Sequence, residues 1–388
     1  MPSFPPPPGA EARAVSDTLL EKITRAIEQR GGCLPFDTYM NMALYEPGLG
    51  YYSNGGTPFG EQGDFVTAPE SGDLFGRCLA NAVASVLQQV DHGCVLELGA
   101  GSGALARVLL QTLEGLGALP ERYFILERSG VMRGLQQQAL AGLDRLAERV
   151  VWLDAPPPQP INGVVFGNEV ADALPVRRFR WHDGEVTLQG VACENNRLAW
   201  CDQPADDETA SWIGQLARDG QWQGVYTSEY CPGLKPWVQD LAACIAQGAL
   251  LLIDYGYGRA EYYHPQRSMG TLLCHYRHQA HDDALWCPGL QDITAFVDFT
   301  SIAEAATDAG MRFVGYTSQA QFLAGCGIDT LLAGADPQDH RRFLQLSNET
   351  KRLMLPGEMG ERFKAIGFSR DLERDVVGFA LRDLRSRL

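Results

Sequence analysis

A glycine-rich segment, VLELGAGSGALA at residues 95–106, carries the clearest chemical signal in this chain of 388 residues. An apolar strand ends at Leu98, the glycines follow, and a helical pattern begins after them. Gly99 and Gly101 allow a sharp turn and a close backbone approach to a ligand, and a helix N-terminus favours polar or anionic ligand groups. The spacing Gly99-x-Gly101-x-x-Ala104 also fits the dinucleotide fingerprint, which leaves a nicotinamide or flavin cofactor open.

Acidic residues around this loop favour a different cofactor. Glu97 precedes the first glycine by two residues, and a carboxylate there repels a pyrophosphate but balances a cationic ligand such as the amino acid end of S-adenosylmethionine. Gly103 completes the G-x-G-x-G spacing that is typical of methyltransferase loops. Glu127, at the end of the next predicted strand, is placed to accept the ribose hydroxyls. Asp154, after the strand VVWL, offers an acceptor for the adenine amino group.

Three later predicted strands also end in carboxylates. Since the carboxyl ends of parallel strands meet at one edge of a sheet, we expect these side chains to converge on one face. An acidic site suits a cationic acceptor, and arginine fits well because its guanidinium stays protonated and pairs bidentately with carboxylates. Paired carboxylates such as Glu169 and Glu229 would position such an acceptor. The candidate catalytic residues at these strand ends are Asn168, Glu169, Asp172, Glu229 and Asp254.

A histidine cluster offers a further candidate. His275, His278 and His281 are spaced three residues apart, which matches no common zinc pattern, so we predict no metal site. His278 or His281 is the candidate for a substrate contact or general base, and the alternative is a structural role.

From Cys94 onward, short apolar runs typical of strands alternate with helical segments. This alternation predicts a parallel sheet with helices on both faces. The segments GVYTSE and, near the C-terminus, residues 376–381 are predicted as strands. The predicted division of the chain is a disordered Pro-rich leader at 1–15, a helical and lid segment at 16–93, and a core at 94–388 with a β-rich insertion at about 176–208 and a second insertion at about 256–298.

Composition limits the possible partners. With 32 Lys and Arg against 48 Asp and Glu, the net charge is −16, which disfavours nucleic-acid binding. No apolar run reaches the roughly 18–20 residues needed to span a bilayer, so we predict no membrane insertion. The N-terminus lacks signal and transit patterns, and the sequence therefore predicts a cytoplasmic protein. The ten cysteines are scattered, without a C-x-x-C pair, and are predicted to be free thiols.

Several motifs in a fixed order resemble a known family: FDTYMNMALYEPGLGYY, FGEQGDFVTAPESGDLFG, LELGAGSG, GNEVADALPV, SEYCPG, LLLIDYG and QDITAFVDFTSIAEAA. The family is that of the mitochondrial complex I assembly-factor methyltransferases and their bacterial relatives of the MidA type. The resemblance implies a class I S-adenosylmethionine-dependent methyltransferase fold of the α/β type, Rossmann-like, with a mostly parallel seven-stranded sheet, an N-terminal extension and insertions. For the mitochondrial members it implies symmetric dimethylation of an arginine on a respiratory complex I subunit.

The resemblance also assigns residues. It implies that Asn168 and Glu169 match the family's Asn-Glu pair and contribute to the site, and that an N-terminal motif forms a lid near the cofactor. The partner implied is a protein substrate carrying a target arginine; a homodimer is one candidate assembly, which the sequence does not decide. A non-catalytic, S-adenosylmethionine-binding assembly chaperone and a nicotinamide-linked oxidoreductase remain the alternatives. Together, the residue patterns and the resemblance give these candidate cofactor-binding residues: Gly63, Asp64, Thr67, Glu97, Gly99, Ala100, Gly101, Gly103, Glu127, Arg128, Asp154 and Asn168.

Overall fold

The computed structural model describes residues 5–56, 68–334, 336 and 338–388, which form two compact units. The first unit comprises the described residues up to 56 together with Asp172–Leu234 and Arg259–Phe296. The second unit comprises the described residues from 68 to 171, Lys235–Gly258, and those of Val297–Leu388. The predicted lid residues Gly63, Asp64 and Thr67 lie outside the described residues.

The helices and strands are numbered separately in chain order. The helices are α1 (Ala10–Gln29), α2 (Phe36–Tyr45), α3 (Leu74–Leu87), α4 (Ala104–Gly115), α5 (Gly130–Leu140), α6 (Asp207–Gly220), α7 (Leu234–Ala243), α8 (Arg259–Tyr262), α9 (Phe299–Asp308), α10 (Gln319–Gly325), α11 (Ile328–Ala333), α12 (His340–Met354) and α13 (Met359–Arg362). The strands are β1 (Leu34–Pro35), β2 (Cys94–Leu98), β3 (Tyr123–Leu126), β4 (Val150–Leu153), β5 (Ile161–Asn168), β6 (Arg177–His182), β7 (Glu185–Glu194), β8 (Arg197–Pro204), β9 (Val225–Tyr230), β10 (Ile245–Tyr257), β11 (Leu273–Tyr276), β12 (Gln279–His281), β13 (Asp292–Thr294), β14 (Val297–Asp298), β15 (Arg312–Ser318) and β16 (Phe363–Arg370).

The second unit is built on a mostly parallel sheet, in the order β15-β16-β10-β5-β2-β3-β4, with the short β14 pairing with β10. The pairs from β10 through β4 are parallel, and β16 runs antiparallel to both of its neighbours. The central strands β2, β5 and β10 are almost continuously buried, as expected for strands covered on both faces. This confirms the predicted α/β fold with a mostly parallel sheet.

The strand order of this sheet reverses between β2 and β5. From β2 the chain proceeds through β3 and β4 toward one edge, and from β5 it proceeds to β10 on the other side. In open α/β sheets, the crevice outside the carboxyl ends of the strands at such a reversal is where ligands bind. The glycine-rich loop follows β2 and Asn168 ends β5, so both lie at this edge of the sheet.

The first unit is built on antiparallel strands. One sheet has the order β1-β7-β6-β9, with β8 pairing with β7, and a smaller sheet has the order β12-β11-β13. Asp183 and Gly184 join β6 to β7, and Asn195 and Asn196 join β7 to β8; all four have positive φ values, as two-residue hairpin turns require. The strands β6, β7 and β8 lie within the segment at about 176–208 that the sequence predicts to be β-rich.

The strand β9 does not join the parallel sheet, contrary to the prediction for GVYTSE. It pairs antiparallel with β6, so that Arg178 lies opposite Glu229. An apolar and β-branched run predicts a strand but does not show which strand it will pair with. Here the partner is β6, about fifty residues earlier in the chain.

The first helix is longer than predicted. Helix α1 begins at Ala10, so residues 10–15, assigned to a disordered leader by the sequence, are helical. The alanines at 10, 12 and 14 have the highest helix propensity, and Arg13 pairs with Asp17 one turn later at 3.1 Å. The prolines that precede Gly9 therefore end before the helix, and they do not prevent its early start.

A disulfide links Cys33 to Cys201, which contradicts the prediction that all cysteines are free thiols. The two residues are separated by 168 positions in the sequence, and their Cα atoms lie 6.4 Å apart. The pairing arises because β1 and β8 both flank β7, so that only the folded sheet brings the thiols together. The other eight cysteines are free.

The segment 376–381, predicted as a final strand, forms no strand. Val376 and Phe379 are nevertheless buried, and Phe379 packs against Phe322 of α10 with ring centroids 5.2 Å apart, whereas Val377 and Leu381 are exposed. Gly378, with φ +115, turns the backbone within this segment. The apolar pattern thus reflects a packed turn. No helix within the described residues is long and apolar enough to cross a membrane.

Candidate functional site

The glycine-rich loop makes a tight turn between β2 and α4. Gly99, Gly101 and Gly103 have φ values of +56, +53 and +88, a region that costs other residues about 1–2 kcal/mol. Ala100 is buried between the first two, and its carbonyl accepts a hydrogen bond from the Gly103 N–H at 2.8 Å. Gly103 is the N-cap of α4, whose first amide groups have no partner within the helix. The loop therefore offers backbone donors at the carboxyl edge of the sheet, as the sequence predicts.

Glu127 follows β3, and its carboxylate is held by two hydrogen bonds. The Ser129 N–H donates to Oε1 at 2.8 Å, and the Gln136 side-chain amide donates to Oε2 at 3.2 Å. Burial raises the pKa of Glu127, and the two hydrogen bonds oppose that shift. Because each carboxylate oxygen can accept more than one hydrogen bond, the group can still receive two hydroxyl donors. The ribose contact of Glu127 stays a prediction.

Two arginines tie the end of β3 to the end of β4. Arg133 donates to the Glu127 carbonyl at 2.7 Å and to the Asp154 carboxylate at 2.6 Å, and Arg128 donates to the Asp154 carbonyl at 3.2 Å. The Asp154 side chain is 83% exposed. Asp154 therefore has a partner on the protein, and its proposed contact with an adenine amino group stays a prediction.

Glu97, on β2, is buried in the second unit. Its side chain is 2% exposed, and its Oε2 accepts a hydrogen bond from the Tyr123 hydroxyl at 2.7 Å. Burial raises the pKa of Glu97 from its usual 4.5 to about 8, and the hydrogen bond from Tyr123 only partly offsets this effect. The carboxyl group is therefore largely protonated at neutral pH in this structure.

We expect Glu97 to make the folded state less stable as the pH rises. Its pKa in the folded protein lies above that in the unfolded chain, so between about pH 4.5 and 8 only the unfolded chain releases the proton. The free energy of unfolding should fall across this window by up to about 1.4 kcal/mol per pH unit from this group. Glu97→Gln should remove that part of the slope in urea unfolding curves measured at several pH values. An identical slope in wild type and variant would contradict the assignment.

A second set of functional groups lies at the end of β5. The Asn168 side-chain amide donates to Glu169 Oε1 at 3.2 Å, and the Glu169 N–H donates to the Ile253 carbonyl on β10 at 2.9 Å. Glu169 has a φ of +54, a conformation that is uncommon for a residue with a side chain and is found often at functional sites. Asn168 Oδ1 is buried without a hydrogen-bond partner among the described residues.

Asp254, near the end of β10, fixes the turn that carries these groups. One carboxylate oxygen accepts the backbone N–H groups of Val170 and Ala171 at 3.1 and 2.9 Å, and the other accepts the N–H of Tyr255 at 2.9 Å. Asp254 is 2% exposed. Asp254 therefore acts on the backbone of the Asn168–Ala171 turn, and the predicted convergence holds for Asn168, Glu169 and Asp254.

The remaining candidates, Asp172, Glu229 and His278, belong to the first unit, and a shared site with Asn168 and Glu169 stays a prediction for them. Glu229 lies on β9, in the antiparallel sheet of the first unit, because that strand pairs with β6. Asp172, also in the first unit, accepts a hydrogen bond at its carbonyl from the Ala295 N–H at 3.0 Å. His278 is exposed in the turn between β11 and β12, with a φ of +59.

Glu229 has structural partners within the first unit. It is fully buried, and its Oε2 accepts hydrogen bonds from the Thr271 N–H at 2.8 Å and the Thr271 hydroxyl at 3.3 Å. Burial raises the pKa of Glu229, and the Thr271 amide and the positive charge of Arg178 oppose the shift. A side chain at Gly270 would clash with the carboxylate. Glu229 thus holds the chain at 270–271 against β9.

Two polar residues beside the loop were not predicted from the sequence. Gln136 of α5 contacts both the loop and Glu127, and Glu70 accepts a hydrogen bond from the Ser102 hydroxyl within the loop. Gln136 had a detectable signal, because it occupies the buried stripe of α5 between Met132 and Leu140 at helical spacing. Within the described ranges, no cluster of His, Cys, Asp and Glu is arranged to hold a metal ion.

Residues 78–317 match a family model described as "Putative S-adenosyl-L-methionine-dependent methyltransferase". Among curated proteins, the mouse protein named "Protein arginine methyltransferase NDUFAF7, mitochondrial" is 30% identical over 365 residues, covering 84% of this chain and 78% of the mouse protein. The Caenorhabditis elegans homologue of the same name is 28% identical, covering 84% of this chain and 80% of its own length. The match favours S-adenosylmethionine over a nicotinamide cofactor.

Two solved structures from Burkholderia thailandensis are similar over nearly the whole chain. One, described as a "superfamily member and likely methyl transferase" bound to S-adenosyl-homocysteine, is 42% identical with a TM-score of 0.94, covering 99% of this chain and all of that chain. A native structure, described as uncharacterized, is 41% identical with a TM-score of 0.92 and the same coverage.

The names of the curated relatives contradict the predicted cytoplasmic location. The mouse, rat and Caenorhabditis elegans proteins are all named as mitochondrial. The prediction rested on the missing signal and transit patterns at the N-terminus, which is weak evidence because such patterns are compositional and variable.

Proposed function

This chain belongs to the family of S-adenosylmethionine-dependent methyltransferases, and we propose that it methylates an arginine side chain of a protein substrate. S-adenosylmethionine is the cofactor and supplies a methyl group bound to a sulfonium. The observation that carries the arginine assignment is that relatives about 30% identical are named protein arginine methyltransferases. The carboxylate of Glu169 at the edge of the second unit's sheet is consistent with it, since it suits a guanidinium.

The cofactor would be held by the loop after β2 and by the ends of β3 and β4. Gly99, Gly101 and Gly103 adopt the positive φ values of this turn, and as glycines they add no side chains to its backbone. Glu127 would accept the ribose hydroxyls, and Asp154 with Arg128 would border the adenine. Glu97, on β2 just before the loop, would balance positive charge on the cofactor by releasing its proton when the cofactor binds, because a nearby positive charge lowers the pKa that burial has raised.

We assign the binding of the substrate arginine, the methyl acceptor, to Asn168 and Glu169. They lie at the end of β5, the strand next to β2 in the sheet, and so beside the proposed cofactor loop. The Glu169 carboxylate would pair with the guanidinium and orient it, and Asn168 Oδ1 offers a further acceptor for an N–H group. Methyl transfer would form the N–C bond and break the S–C bond, leaving S-adenosyl-homocysteine, and the nitrogen would release one proton to solvent. The Glu169 carboxylate would stabilise the positive charge that remains on the guanidinium.

The proposal is tested with purified protein, isotope-labelled S-adenosylmethionine and native lysate, followed by mass spectrometry of labelled peptides. We expect label on arginine, reduced about tenfold or more by Glu169→Gln while affinity for S-adenosyl-homocysteine changes little. Glu148→Gln, an exposed residue of the same type, serves as the control. Label on lysine or on small molecules alone would refute the arginine assignment and leave the family assignment intact.

The first protein to test is a respiratory complex I-type subunit, the substrate that the resemblance implies, with a homodimer as one candidate enzyme form. Full biological activity of Glu169→Gln after loss of methyl transfer would instead favour a non-catalytic assembly chaperone.

A further inference from the structure

We propose that Gln136 is a positioning residue for the cofactor, which fixes the ribose-binding carboxylate of Glu127 and the peptide group of Gly101 in one arrangement. The Gln136 side-chain amide donates to the Gly101 carbonyl at 3.1 Å and to Glu127 Oε2 at 3.2 Å. Its carbonyl oxygen accepts from the Trp152 indole N–H at 2.9 Å. One side chain thereby links the loop after β2, the end of β3, and β4.

The chemistry of these partners admits only one orientation of the amide. The indole of Trp152 can only donate, so it must face the Gln136 oxygen, while the Gly101 carbonyl and the Glu127 carboxylate can only accept, so they must face the nitrogen. Both N–H groups and the carbonyl of the amide are thus used. Gln136 is fully buried, and a buried side chain with all of its hydrogen bonds satisfied is held more rigidly than an exposed one.

The backbone of α5 makes the arrangement rigid as well. A Cβ atom at Gly103 would come within 3.0 Å of the Gln136 Cα, so the helix lies in van der Waals contact with the loop. At the start of the same helix, Ser129 caps α5 by accepting from the Met132 N–H at 3.3 Å, and the Ser129 N–H bonds to Glu127 Oε1. Glu127 is therefore fixed from one helix at both of its oxygens.

This arrangement bears directly on cofactor binding. The ribose hydroxyls must meet a carboxylate whose lone pairs already point in the correct directions, and preorganisation of that kind raises affinity by reducing the ordering required on binding. Without the Gln136 amide, Glu127 loses one of its two hydrogen bonds and gains freedom to rotate. The pKa of Glu127 should also rise, since that hydrogen bond opposes the effect of burial. The inference depends on the cofactor and is independent of the proposed arginine substrate.

The test uses Gln136→Met, which keeps the side-chain length but removes every hydrogen bond. Calorimetry is performed with two probes, S-adenosyl-homocysteine and its analogue lacking both ribose hydroxyls. We expect affinity for S-adenosyl-homocysteine to fall about tenfold or more, while affinity for the analogue changes by less than about threefold. Gln137→Met, an exposed glutamine of the same helix, should leave both affinities unchanged.

Equal weakening of both probes would show a purely structural role and overturn the proposal, as would an unchanged affinity for S-adenosyl-homocysteine. If Gln136→Met fails to fold, Trp152→Phe tests the same network, because it removes the indole donor, keeps an aromatic ring and leaves the Gln136 amide free to rotate. That variant should also lose affinity for S-adenosyl-homocysteine but not for the analogue, and the loss should be smaller, about twofold to fivefold. Absence of this selectivity would likewise overturn the proposal.

Discussion

Gly103→Val should weaken binding of S-adenosyl-homocysteine by about 100-fold or more, the largest loss expected from any single substitution in the loop. Gly103 has a φ of +88, which a β-branched residue avoids. Its Cβ would lie 3.0 Å from the Gln136 Cα and 3.3 Å from the Ala139 Cβ, so the neighbour to be displaced is the backbone of α5. The loop and the helix cannot both keep their positions, and calorimetry with S-adenosyl-homocysteine measures the consequence.

Gly117→Val is the matched control for this experiment. Gly117 lies just beyond the other end of α4 and has a φ of +63, but a Cβ there would meet no atom within 4 Å. This variant carries comparable backbone strain, about 1–2 kcal/mol, without contact with the loop. Its thermal stability should fall while its affinity stays within about threefold of wild type. If both variants lost affinity equally, global destabilisation rather than loop geometry would explain the effect.

The loop could be predicted from the sequence because its determinants are local. Three glycines after an apolar strand and before a helix allow few other conformations, and the structure gives all three the left-handed φ that explains the residue type. Glu127 could be placed for the same reason, since it directly follows β3. The parallel sheet could be predicted because its strands are apolar on both faces.

The position of Glu229 could not be predicted, because strand pairing is non-local. Residues 225–230 satisfy every local criterion for a strand, but their partner β6 comes from an insertion far earlier in the chain. The Cys33–Cys201 disulfide is hidden for the same reason, since β7 must first bring β1 and β8 to either side of it.

Gln136 is a different case, because the sequence could indicate that its side chain is buried but not which groups it contacts. A polar residue in the buried stripe of an amphipathic helix must find hydrogen-bond partners, so its burial could be anticipated. Which partners it finds depends on the packing of α5 against the loop after β2. The sequence can therefore identify such a residue as exceptional, whereas its role requires the three-dimensional structure.

Asp254→Ala should lower the free energy of unfolding by about 3–5 kcal/mol and disable the Asn168–Glu169 pair. The carboxylate accepts three backbone N–H groups, from Val170, Ala171 and Tyr255, and alanine would leave all three without that acceptor in a buried environment. Asp254→Asn keeps one oxygen acceptor but replaces the other with a donor, so a loss of about 1–2 kcal/mol is expected. Urea unfolding measures both values.

Asp254→Asn also distinguishes the cofactor-binding part of the proposed site from the part that binds the substrate arginine. Asp254 holds the turn after β5, whereas the glycine loop and Glu127 follow β2 and β3 and make no use of its carboxylate. Methyl transfer by Asp254→Asn should therefore fall about tenfold or more, while affinity for S-adenosyl-homocysteine stays within about threefold. Asp240→Ala, an exposed aspartate on α7, should change neither quantity. A parallel loss of cofactor affinity would mean that β5 and β2 are coupled more closely than these contacts indicate, and that the acceptor and cofactor halves respond as one.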